Sequence, residues 1–297
     1  MFKDLREYIA NLEIDKSEPT IRSYVAALDR FVKFFSLDSS DALNALTSDD
    51  IRRYQKDLRE TLAASSVNSH YRIIKAFVGW LLENDKIIRN PLKGVHFLDE
   101  GEKNVAVFFT IEERDAMLNT CHNPNKKLLL AVLFYQGLRR EEAVNVMVSD
   151  FDAEHATLVI HGKRGKQVKQ DLNPYVVRLF REYMKERKSD SEYLFCTRKK
   201  GFGTAEGWHP ITGESVLQMV RAAALRAGIS SEKVAQAGAH TTRRSCACHL
   251  ALLGLNDFTI QSHMRHEKIT TTQLYIEPAR KLLSAKAALA LPEPKGF

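Results

Sequence analysis

The chain has 297 residues, with 44 lysines and arginines against 37 aspartates and glutamates and a formal net charge of +7. That length holds two domains of ordinary size, each with its own core, and the charge suits a polyanionic partner. No run of about 18 apolar residues is present to span a bilayer, no signal-peptide order follows Met1, and Cys121, Cys196, Cys246 and Cys248 lack the spacing of a disulfide framework. A reduced, cytoplasmic protein with no membrane partner is expected.

Residues 1–98 hold 15 basic and 14 acidic side chains and read as an all-helical domain. Helices are expected over Phe2 to Leu12, Pro19 to Phe35, Ser48 to Glu60 and Ser65 to Asn84. In the second, Ile21, Tyr24, Val25, Leu28, Phe31, Val32 and Phe35 recur at helical spacing behind a proline suited to a first turn. The fourth carries Val67, Tyr71, Ile74, Phe77, Val78 and Leu81 on one face, which leaves Asn68, His70, Arg72 and Lys75 to face a polyanion. Arg22, Arg52, Arg72 and Lys75 are the candidates to neutralise phosphate. Asn90-Pro91 ends the helical unit, because the residue before proline is pushed out of the α region, and the polar segment Asp99 to Asn104 reads as a linker.

Beyond Leu98 the chain carries 29 basic against 23 acidic residues. Thr110-Ile111-Glu112-Glu113 is a capping-box start. Lys126 to Tyr135 is a strongly apolar helix running into Gly137, and Arg140 to Met147 reads as another. The period then changes: Ala156 to His161 and Gln167 to Leu172 are strand-like, joined by the hairpin Gly162-Lys163-Arg164-Gly165-Lys166. Helices resume at Pro174 to Lys188, Gly213 to Ala227, Arg243 to Leu253 and Asp257 to His263. After Glu277, Leu282, Ala285 and Leu289 form a narrow stripe on a short tail helix ended by Pro292.

In this second part stand, in order, Gly137-Leu138-Arg139, Lys163 at the hairpin tip, His240-Thr241-Thr242-Arg243, His266 and Thr271-Thr272-Gln273-Leu274-Tyr275. Singly, each is ordinary in a helical protein. Together they meet a demand: breaking a phosphodiester without a metal takes a nucleophile, donors for the charge on the phosphoryl oxygens and an acid for the departing oxygen. Cys246-Ala247-Cys248-His249 and the pair His263 and His266 lack a full ligand set at zinc spacing, so no metal is expected.

The order of these groups, with His266 nine residues before Tyr275, resembles the catalytic signature of the tyrosine recombinases, the family of phage integrases, Xer recombinases and Cre. The resemblance covers nearly the whole chain, although the N-terminal part matches by pattern alone. It implies a mainly α two-domain fold: an all-helical core-binding domain over 1–98 and a catalytic α+β domain over 107–297, mostly helical with a small antiparallel sheet. It further implies that Tyr275 attacks the scissile phosphate, giving a 3′-phosphotyrosyl intermediate. Arg139 and Arg243 would hold the non-bridging oxygens, and Lys163 would protonate the leaving oxygen. His240 would bind phosphate or assist proton transfer from the tyrosine, and His266 would bind phosphate and position the nucleophile. Glu142 would buttress the site. No cofactor is implied; the partners are double-stranded DNA with inverted half-sites and a homotetramer on two duplexes, linked by a docking C-terminal tail.

Two departures from the family pattern stand out. Met264-Arg265 precedes His266 where Leu-Gly is common, making Arg265 a candidate phosphate contact, and Arg244 follows Arg243 where many members have histidine. A type IB topoisomerase-like strand breaker and a non-catalytic DNA-binding protein on the same fold are the alternatives. The Thr-Thr-Gln-Leu-Tyr box argues against the first and the complete residue set against the second. Integration of a mobile element, dimer resolution and transposition all remain open.

Overall fold

The N-terminal apolar spacing becomes four helices, α1 (Lys3–Glu13), α2 (Glu18–Phe35), α3 (Ser48–Thr61) and α4 (Ala64–Glu83). The computed structural model describes residues 1–101, 107–162, 165–199 and 207–290, and the chain divides into two units, Met1–Lys103 and Asn104–Phe297. In the first unit, α2 ends at Ser36 in the left-handed region, and α3 starts from a reciprocal capping box in which Thr47 and Asp50 satisfy each other's backbone N–H. Leu28, Phe31, Ile51, Leu58, Val67, Phe77 and Leu81 are fully buried in the core of this unit. Each such side chain contributes roughly 1.5–3 kcal/mol relative to exposure.

Asn68 departs from its expected exposure. It is 2% exposed, donates to the Leu98 carbonyl at 2.9 Å and to the Glu100 carboxylate, and accepts from the Leu98 N–H at 2.8 Å. The segment that follows the helices folds over this face of α4, and a buried amide must be satisfied in this way. His70 is half-buried, whereas Arg72 and Lys75 are exposed.

The second unit opens with α5 (Ile111–Asn119), α6 (Pro124–Tyr135) and the short α7 (Arg140–Val144). A three-stranded antiparallel sheet follows, β1 (Phe151–Asp152), β2 (Thr157–His161) and β3 (Gln167–Asp171), in spatial order β1-β2-β3. Then come α8 (Pro174–Glu186), the two-stranded pair β4 (Cys196–Lys199) and β5 (Gly207–Pro210), α9 (Gly213–Arg226), α10 (Ser231–Ala235), α11 (Ala239–Leu252), α12 (Asp257–Met264) and α13 (Ile269–Ala290). Helix α6 is apolar all round, with Leu128 through Phe134 buried, the pattern of a central core helix. α11 is buried almost as completely, so its polar residues sit inside the protein.

The architecture is mainly α with small antiparallel sheets, but several elements differ from their sequence-based bounds. The helix expected over Arg140 to Met147 stops at Val144, because the Asp150 carboxylate takes the Met147 N–H at 2.8 Å and Met147 bridges to Tyr193. The sheet gains β1, and β4 with β5 form a second sheet, which Cys-Thr-Arg-Lys and Gly-Trp-His-Pro do not announce by alternation. α11 begins at Ala239, placing His240 in its first turn. The tail is not a separate short helix, since α13 runs unbroken through Tyr275 and Pro278 to Ala290. Pro292 lies outside the described residues.

Candidate active site

The site is assembled at the turn after α6. That helix ends at Gln136, and Gly137 adopts φ +56°, a left-handed conformation in which a Cβ would lie 2.9 Å from both Sδ and Cε of Met264. Glycine is therefore favoured by torsion, and a side chain here would also displace the end of Met264. Leu138 anchors the turn in the core, and Arg139 becomes the residue preceding α7. Glu142 then accepts the Arg139 backbone N–H at 2.8 Å and its guanidinium at 2.6 Å, so the helix start and the arginine are fixed by one carboxylate.

Two further arginines converge on Glu142. Arg243, on α11, is 1% exposed; its Nη1 donates to the Gly137 carbonyl and its Nη2 to the Met264 carbonyl, with Glu142 4.0 Å away. Arg265 ends α12 at φ 54° and places its Nη2 3.0 Å from Glu142. Burial alone would raise the Glu142 pKa, but Arg265 and Arg139 outweigh it and hold the carboxyl below its ordinary value. Three guanidiniums against one carboxylate leave two positive charges uncompensated by it. Burial first, then Arg139 and Arg265, lowers the Arg243 pKa to about 10, which still leaves it charged at neutral pH.

His266 and Tyr275 border this cluster. The His266 ring meets the Tyr275 ring edge to face at 5.0 Å, its Nδ1 lies 2.9 Å from the Thr272 hydroxyl, and its Nε2 is buried without a partner among the described residues. Burial, then the charges of Arg243, Arg139 and Arg265, pushes the His266 pKa down to about 4, so the ring is neutral at physiological pH. Arg244 lies over the Tyr275 ring, 5.1 Å from its centroid, and donates to the Val107 carbonyl. A pocket of excess positive charge beside a tyrosine, with an imidazole nitrogen unsatisfied, is built to receive an anion.

The profile of the phage integrase family matches residues 108–281, and that of the phage integrase N-terminal SAM-like domain matches residues 1–88. The chain belongs to the phage integrase family. Among curated relatives, it is 26% identical to the tyrosine recombinase XerC of Staphylococcus saprophyticus, with 99% of each chain covered. It is also 26% identical to the tyrosine recombinase XerA of Pyrococcus horikoshii, over 94% of this chain and 90% of that one. Its fold is similar to XerH recombinase bound to a palindromic difH substrate, with a TM-score of 0.73 at 19% identity, covering 91% of this chain and 79% of that one. It is likewise similar to a lambda integrase dimer on a core site, with a TM-score of 0.72 at 15% identity, covering 92% and 94%.

Of the residues singled out in this tyrosine recombinase, Arg139, Glu142, Arg243, His266 and Tyr275 come together in the cluster just described. His240 belongs to the same field. Its side chain reaches solvent, yet the surrounding protein desolvates the ring, and the charges of Arg243, Arg140 and Arg244 further lower its pKa. Lys163 lies outside the described residues; the strands flanking it, β2 and β3, pair in register from Thr157 opposite Asp171 to His161 opposite Gln167. Arg22 pairs with Glu18 on α2, and Arg52 reaches Asp49 and the Gly94 carbonyl from α3. Only Arg72 and Lys75 of the N-terminal set are neighbours, both over the exposed Phe97 ring at 5.2 and 5.9 Å.

Arg265 is not a free phosphate contact. Its side chain is 8% exposed, and its two terminal nitrogens are engaged within the protein, donating to Gln170 Oε1 at 2.7 Å, to Glu142 and to the carbonyls of Gln136 and His263. An L-residue in the left-handed region is strained by roughly 1–2 kcal/mol, and these bonds hold it there. The same conformation presents the Arg265 carbonyl to Arg139 Nη2 at 3.1 Å. The one signal in the sequence was the missing glycine before His266.

The neutral His266 makes stability depend on pH. Its folded pKa of about 4 lies below the ordinary histidine value of 6.5, so between those values the unfolded chain binds a proton that the folded chain refuses. Stability is therefore complete above about pH 6.5 and lost as pH falls towards 4, by on the order of 3 kcal/mol in all. His240, His249 and His263, also depressed, act with the same sign. Urea unfolding across this window is expected to show the slope, and His266→Gln to flatten it; an equal slope in that variant contradicts the assignment.

Proposed function

We propose that this tyrosine recombinase is a site-specific DNA recombinase that cuts and rejoins strands through Tyr275. The observation that carries the reading is the surplus of guanidinium charge around Glu142, beside the unpartnered His266 Nε2 and the Tyr275 ring. The Tyr275 oxygen attacks the scissile phosphorus, a P–O bond to tyrosine forms, and the bond to the 5′ oxygen breaks. Arg139 and Arg243 stabilise the non-bridging oxygens, since each guanidinium keeps N–H groups beyond those it uses within the protein. His240, neutral at pH 7, is suited to take the tyrosine proton, and His266 donates to phosphate. Lys163 delivers a proton to the 5′ oxygen. Because the phosphodiester energy is kept in the phosphotyrosine, no nucleotide cofactor is needed for rejoining.

The chain works on double-stranded DNA with inverted half-sites, as a homotetramer on two duplexes, and acts in the cytoplasm at the nucleoid where that substrate lies. Relatives solved on a palindromic substrate and as a dimer on a core site support this layout. Arg72 and Lys75 flanking Phe97 are the strongest N-terminal candidates for backbone contact, with Arg22 and Arg52 beside their carboxylates as weaker ones. The test is to recover the bound sequence from a random duplex pool with the full chain, then to assay strand exchange between two labelled duplexes carrying it. Relaxation without exchange would make the chain a topoisomerase, and binding without a covalent adduct would make it a binder.

Lys163→Ala is expected to slow cleavage by roughly 10²–10⁴, the scale of general acid catalysis, with little change in binding. A substrate with a 5′-bridging sulfur should recover most of that rate, because a thiolate departs without a proton. If sulfur rescues none of the Lys163→Ala defect, the general-acid role is wrong.

A further inference from the structure

Thr272 lies three residues before Tyr275, so the two share one face of α13. It is fully buried, and its hydroxyl is 2.9 Å from Nδ1 of His266. The imidazole is thus held at one end by Thr272 and at its edge by the Tyr275 ring, while Nε2 has no protein partner among the described residues. A neutral imidazole has one N–H, so its position decides whether Nε2 offers an anion a hydrogen or a lone pair.

The hydroxyl settles that choice. If Nδ1 carried the hydrogen, it would donate to Thr272 Oγ1 and leave the hydroxyl hydrogen with no acceptor among the described residues, in a position of zero exposure. Nε2 would then present a lone pair to incoming phosphate oxygens, which is repulsive. If the hydroxyl donates to Nδ1, both Thr272 and Nδ1 are satisfied and Nε2 carries the hydrogen. This arrangement leaves Nε2 alone without a partner, where the other leaves the buried hydroxyl hydrogen unpaired as well. We infer that Thr272 is a positioning residue that fixes His266 as the Nε2–H tautomer, aimed as a donor at the scissile phosphate.

The catalytic part of this inference rests on the recombinase reading, but the tautomer does not. The experiment is therefore in two arms. The full chain, labelled with ¹⁵N-histidine, is examined at neutral pH by long-range proton–nitrogen correlation without DNA, and the His266 signals are assigned by their loss in His266→Gln. The parent should show a single neutral ring protonated at Nε2. Thr272→Val, which keeps the branched shape and removes the hydroxyl, should lose that single-tautomer pattern, and Thr272→Ser should restore it. In the second arm, adduct formation on a nicked duplex carrying the recovered site should fall about tenfold in Thr272→Val, the scale of one buried hydrogen bond, and return towards the parent rate in Thr272→Ser.

A parent ring protonated at Nδ1 overturns the inference even if no Thr272 variant folds. So does a Thr272→Val protein whose tautomer is unchanged, whatever its rate. A parent with the Nε2–H ring that forms no adduct on any recovered duplex sinks the recombinase reading instead and leaves the tautomer assignment standing.

Discussion

Tyr275→Phe is expected to bind its DNA site as the parent does and to form no covalent adduct on a nicked suicide duplex. The substitution removes one oxygen. The ring remains, and with it the edge-to-face contact with His266 at 5.0 Å and the Arg244 guanidinium 5.1 Å above it. The anion pocket around Glu142 is untouched, so phosphate recognition should survive. Losing a nucleophile outright acts on the scale of 10⁴ or more in rate, roughly what separates an enzyme from its residual background. Denaturing electrophoresis of labelled DNA gives the adduct, and gel shift gives the binding. An adduct forming at the parent rate in the phenylalanine protein removes Tyr275 from the mechanism.

Glu142→Gln is expected to be damaging for a different reason. Gln matches the shape of Glu but not its charge, and Glu142 is the only carboxylate among the described residues that pairs with Arg139, Arg243 and Arg265. Two of those arginine side chains are 1% and 8% exposed, so water cannot take over the role of the carboxylate. Breaking a buried pair by neutralising one partner destabilises by about 3–5 kcal/mol, and three guanidiniums share this one. The catalytic unit should unfold at markedly lower urea, and cleavage should fall with it because Gln retains one acceptor oxygen where the carboxylate used two to hold the Arg139 backbone and guanidinium. Added phosphate should restore part of the stability, since an anion bound to the folded state alone shifts the equilibrium towards it. An unfolding free energy within about 1 kcal/mol of the parent would falsify the charge-hub account of Glu142.

Helices α2 and α4 were legible because their apolar residues recur at helical period, α6 as a strongly apolar run, and the pairing of β2 with β3 because glycines bracket a basic turn between β-formers, whereas α10 was not read from the sequence. Gly137, Arg139, Arg243, His266 and Tyr275 were legible as a set through their order. Exposure was not legible from the same pattern. Asn68 sits on a helix face that periodicity assigns to solvent, yet a segment thirty residues on in sequence covers it. β4 and β5 were missed because their residues do not alternate, and the break after Val144 because a side chain, Asp150, takes the backbone N–H that another helical turn would have used.

What the sequence determined by itself is chemistry in order: which residues can attack, donate and protonate, and the local turns that glycine, proline and capping residues impose. Those are properties of single residues and near neighbours. What only the tertiary structure decided is which of these groups share an environment. Arg265 reads as a candidate phosphate contact before a histidine and becomes a buried brace, because Glu142 lies more than a hundred residues away in the chain and 3.0 Å away in space. His266 reads as a phosphate contact whose charge the sequence leaves open and becomes a neutral ring, because burial and three guanidiniums act on it at once. Electrostatic energy depends on distance and on the surrounding dielectric, and the fold alone sets both.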